Sequence, residues 1–113
     1  MMIVEKATSI EALKPMAAKM FDNMVKAVVD VDRCVMAIDA EVHADLEALL
    51  LDAGSNQYHV WGINLYPGHA EREFVEFDSM INVRPTQGNR SRGVDDDAVR
   101  RKILAIVGQL VRR

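Results

Sequence analysis

The chain has 113 residues, half of them hydrophobic and 27% charged, with a formal net charge of −3; this suits residues 1–113 folding as a single globular domain with one real core. Its single cysteine, Cys34, excludes an internal disulfide and a cysteine cage for zinc. Met1 to Ala7, broken by Glu5 and Lys6, is too short for a secretory signal, and no apolar run reaches transmembrane length, so a cytoplasmic protein with no membrane partner is expected.

Ile3 to Lys6 reads as a short first strand. Thr8 with Glu11 fits a capping box that opens a helix. Ile10, Leu13, Ala17, Met20, Phe21 and Met24 share one face of that helix. Pro15 should kink it or restart it, because proline removes a backbone donor. Met24 to Val31 and Arg33 to Ile38 are β-branched and apolar around a tight Asp30–Arg33 turn, which predicts a hairpin. Cys34 alternates with Met36 and Ile38 and is expected to be buried. His43 or Asp45 starts a second helix with Leu46, Leu49, Leu50 and Ala53 inward, closed by Gly54. Val60 to Leu65 is a strand that buries Trp61, Ile63 and Leu65, and Pro67-Gly68 breaks it.

Phe74 to Arg84 alternates: Val75, Phe77, Ile81 and Val83 are apolar, whereas Glu76, Asp78, Asn82 and Arg84 are polar. This period of two predicts one long half-buried strand. Pro85 ends it, Thr86 to Gly93 is a loop, and Asp95 or Asp96 caps a last helix lined by Val99, Ile103, Ile106, Val107 and Leu110. The order predicts an α+β domain, with a mostly antiparallel sheet of about four or five strands and about three helices packed mainly on one face.

The segments HADLEALLLDAGS, WGINLYP and FDSMINVRPTQGNRSRGV resemble the hallmark blocks of a family of short uncharacterised prokaryotic proteins, classed as a domain of unknown function. The resemblance runs from about Val25 to the end of the last helix. It implies a stand-alone cytoplasmic protein of a bacterium or archaeon, and it carries over no activity, cofactor or catalytic residue.

Charge is unevenly placed. Residues 1–83 carry six basic against 14 acidic groups, a net of −8, and residues 84–113 carry eight against three, a net of +5. Within the basic part, Arg84, Arg90 and Arg92 sit close in sequence with Gln87 and Asn89 among them, and Gly88 and Gly93 let the backbone approach a ligand. Guanidinium forks bind phosphate or carboxylate bidentately, so the leading expectation is a phosphate-bearing ligand, a nucleotide or RNA, at this loop. Asp78 and Asn82, and Asn64 on the neighbouring strand, would stand beside it. The competing reading pairs these arginines with Asp95, Asp96, Asp97, Glu76 or Asp78 and leaves nothing for a ligand. The loop matches neither a Walker P-loop nor a dinucleotide fingerprint, so no cofactor is expected.

Two other classes compete. A metal-dependent hydrolase or nuclease would use His43, Asp45 and Asp78, with Glu47 one turn from His43. A structural or homodimeric module would use the long strand or the helices as its interface. Composition and spacing leave open whether the protein is an enzyme.

Overall fold

The computed structural model describes residues 1–113. A five-stranded antiparallel sheet runs in the order β1 (Met2–Val4), β4 (Val35–Ile38), β3 (Val25–Asp30), β5 (Val60–Leu65) and β6 (Val75–Glu76). Three helices accompany it: α1 (Ile10–Met20), α2 (His43–Asp52) and α3 (Asp97–Leu110). A parallel pair, β2 (Thr8–Ser9) with β7 (Val111–Arg112), ties the start of α1 to the end of α3.

Alternation along the strands divides the interior in two. Ala27, Val29, Met36, Ile38, Trp61, Ile63 and Leu65 face α1 and α3. Val28, Val35, Ala37 and Val60 face Leu46 and Leu50 of α2. Two helices therefore share one face and the third covers the other. The central strands consequently read as near-continuous apolar runs, as expected of strands buried on both sides.

The predicted hairpin is present, and Asp30 holds its turn. The Asp30 carboxylate is buried and accepts from the backbone N–H of Asp32 (2.9 Å) and Arg33 (3.0 Å) and from the Ser55 hydroxyl (2.6 Å). Cys34 is exposed rather than buried. It occupies a left-handed position (φ 57°) at the hairpin tip, where the chain reverses before the strand alternation resumes. The first helix is capped by Ser9, whose hydroxyl accepts from Ala12 N–H at 3.1 Å, and not by Thr8, which is drawn into the pairing with β7. Pro15 lies inside α1 and does not restart it. The last helix ends at Leu110, so Val111 and Arg112 are strand rather than a final helical turn.

The main departure concerns Phe74 to Arg84. Only Val75 and Glu76 pair with the sheet; then the chain lifts away. Ser79 caps a 3-10 turn over Met80–Asn82, its hydroxyl accepting from Ile81 N–H at 3.3 Å. A second such turn spans Pro85–Gln87, and Gly88 takes φ 85° to close it. Phe77 packs with the α1/α3 core and Ile81 with the α2 core, on opposite sides of the sheet. A straight strand would have placed them on one face. The alternation was real, but it came from a chain that turns between two cores.

Candidate functional site

The arginine loop is held by its own side chains. Asn82 is fully buried and clasps the backbone of Gly62: Gly62 N–H donates to its Oδ1 (2.8 Å) and its Nδ2 donates to Gly62 O (2.9 Å). The same Nδ2 reaches Arg92 O at 2.9 Å. Asn89, also buried, donates to the carbonyls of Asn82 (2.7 Å) and Gly93 (2.9 Å), and its Oδ1 accepts from Asp95 N–H (2.8 Å). These two amides do for the loop what ladder bonds do for a strand: they satisfy backbone groups that would otherwise be buried unpaired.

Arg84 is likewise committed. Its Nε donates to Ile81 O (2.8 Å), Nη1 to Gln57 O (3.0 Å) and Nη2 to Val60 O, with Glu47 Oε2 at 3.7 Å. Its guanidinium lies 4.7 Å above the Trp61 ring. Burial pulls its pKa down, and Glu47 acts in the opposite sense. Gln87 donates to Tyr58 O at 2.8 Å. Arg92 pairs with Asp78 at 2.6 Å, an exposed contact that raises the arginine's pKa through that hydrogen bond. Asp95 is kept below the usual carboxylate range by the Ser91 hydroxyl and the Arg90 N–H. Of the predicted loop residues, Arg90 alone has no side-chain partner. Arg84 and Gln87 line a hollow of about 340 Å³ with Tyr58 and Val83; Arg90 and Arg92 lie outside it.

The second predicted group separates. His43, the first residue of α2, is buried, and its Nε2 lies 2.8 Å from Ile63 O. Desolvation lowers its pKa, which keeps the ring neutral near pH 7 with the proton on Nε2. Asp45 is exposed in the first turn of α2, and no three His, Cys, Asp or Glu side chains of the protein converge into a metal-holding group. The expected His43, Asp45 and Asp78 set is not assembled, because helix geometry turns Asp45 away from the sheet that His43 faces. What surrounds His43 is a polar cluster on the sheet. Asn64, 5% exposed, donates to Glu76 Oε1 (2.8 Å), which also accepts from the Tyr66 hydroxyl (2.8 Å). Partial burial and that Glu76 bond push the Tyr66 pKa up to about 12. Asn64 Oδ1 is buried with no partner, and Lys26 stands opposite Asn64 on β3.

Sequence reasoning did not find a second concavity. A groove of about 580 Å³ runs between the end of α3 and residues 71–75. Phe74, Leu104, Val107 and Val111 form its apolar floor and wall. Arg72, Arg112 and Arg113 stand round it with Glu71, and none of these three arginines belongs to an ion pair. The Arg113 guanidinium lies 5.0 Å above the Phe74 ring. The only sequence signal for this place was the positive balance of residues 84–113. Nothing local joins Arg72 to it; that juxtaposition is made by the α3 crossover.

No curated protein and no solved structure matches the chain. Residues 2–110 match the family described as "Protein of unknown function (DUF5674)", and the chain belongs to that family.

Proposed function

We propose that the protein binds a phosphate-bearing anion with an apolar body in the groove between α3 and residues 71–75. The observation that carries this reading is the set of three unpaired guanidinium groups around an apolar floor. With Glu71 included, the side chains of the rim carry a formal net charge of +2. Like charges in net excess repel one another, and an anion relieves that repulsion while its apolar part covers the floor. Guanidinium forks give phosphate two parallel donors each. The volume falls within the roughly 300–1,000 Å³ usual for small-molecule sites, which are apolar with a few convergent polar groups. In this reading Asn82, Arg84 and Asn89 are the scaffold of the arginine loop, and the ligand charge meets Arg72, Arg112 and Arg113.

The test is calorimetric titration with ADP at low salt, using wild type and the Arg72→Ala/Arg112→Ala variant. The expected result is binding by wild type that weakens at least about tenfold in the double variant, the scale of one lost charge-assisted contact, with an unchanged melting temperature. Binding should also weaken as salt screens the rim. Absence of heat for ADP and for pyrophosphate with wild type would overturn the reading.

A further inference from the structure

Gly108 lies in the last turns of α3 and on the wall of the groove. Glycine weakens a helix interior relative to alanine, so its place there calls for a reason. The usual reasons fail. Its φ is not positive, and a Cβ built on it meets nothing within 4 Å, so no neighbouring element presses on the backbone. Gly62 shows the contrast: a Cβ there would stand 2.5 Å from Ser79 Cβ, so that glycine is demanded by packing. At Gly108 the open space is the groove itself.

We infer that Gly108 leaves bare helix backbone as the landing surface for a planar ring, so that the ligand of the groove is a nucleoside phosphate whose base lies along α3 beside Leu104. This rests on the anion-binding reading above and names its substrate class. A flat ring gains most from a wall without a side chain, because it approaches the backbone along its whole face. The lining also offers an aromatic ring, Phe74, whose centroid lies 5.0 Å from the Arg113 guanidinium carbon. The phosphates extend to Arg72, Arg112 and Arg113, which line the same groove.

The experiment titrates ADP and pyrophosphate separately into wild type, Gly108→Ala and Gly108→Leu, and records the melting temperature of each. The expected result is that Gly108→Ala melts at or above the wild-type temperature, because alanine is the better helix former. ADP affinity falls several-fold in the alanine variant and at least tenfold in the leucine variant, and pyrophosphate affinity stays at the wild-type value. Equal loss for both ligands would overturn the base contact, since the variant would then be disturbing the arginines. Unchanged ADP affinity in Gly108→Leu would also overturn it, leaving the anion site intact. Failure of wild type to bind either ligand removes the underlying anion reading instead.

Discussion

At the scale of single residues, His43 shows how burial converts an ordinary titratable group into a structural one. Desolvation is the leading cause of its lowered pKa and Lys26 adds to it, while the Ile63 carbonyl, Asn64 and Asp78 act the other way. The unfolded chain has the ordinary value of 6.5, so on acidification the unfolded state takes up a proton before the folded state does. Stability contributed by neutral His43 is therefore complete above that value and is lost as pH falls below it, until the folded pKa is reached. Urea midpoints measured between pH 8 and pH 5 should fall more steeply for wild type than for His43→Gln, whose amide keeps a donor for Ile63 O. Parallel curves would contradict the buried neutral ring. The sequence placed His43 at a strand-to-helix junction but had no way to specify its partner, because Ile63 lies on a strand that only folding brings beneath α2.

At the scale of elements, β3, β4 and β5 were readable as apolar runs buried on both faces, and all three helices as apolar stripes. The segment after Glu76 was not. Its apolar residues belong to two cores, and its polar residues replace a ladder by side-chain bonds. The fit of this segment onto β5 depends on Gly62, where Ser79 Cβ and Oγ would lie 2.5 and 2.6 Å from an added Cβ. Gly62→Ala should push the 79–82 turn off β5 and loosen the Asn82 clasp. Leaving such buried groups unpaired costs about 1–3 kcal/mol each, so a loss of about 3 kcal/mol is expected in urea unfolding. Ser79→Gly removes both clashing atoms and should recover part of it in the double variant. A Gly62→Ala protein as stable as wild type would show that the contact is not tight. The same arrangement explains why an arginine-rich loop need not be a binding loop: Arg84 spends its donors on the Ile81, Gln57 and Val60 carbonyls.

At the scale of the whole molecule, one sheet serves two hydrophobic cores, and β3 contributes to both through Val29 and Val28. Neither core can open without exposing the other side of the same strands. Leu13→Ala in the larger core and Leu46→Ala in the smaller should each cost about 2–5 kcal/mol, the range for truncating a buried leucine. Both should shift a single transition in which Trp61 fluorescence and far-ultraviolet dichroism coincide. Separate transitions in the Leu46 variant would show that the α2 side unfolds independently. The sequence by itself determined the α+β class, the hairpin, the places of the central strands and the helical stripes, because each is a local run or stripe of apolar residues. It also carried the charge imbalance of residues 84–113. Only the tertiary structure decided which guanidinium groups are spent and which are free: Arg84 and Arg92 meet acceptors that folding brings to them, while Arg72, Arg112 and Arg113 come together unpaired around an apolar groove. Pairing is a property of distance in space, and spacing along the chain does not fix it.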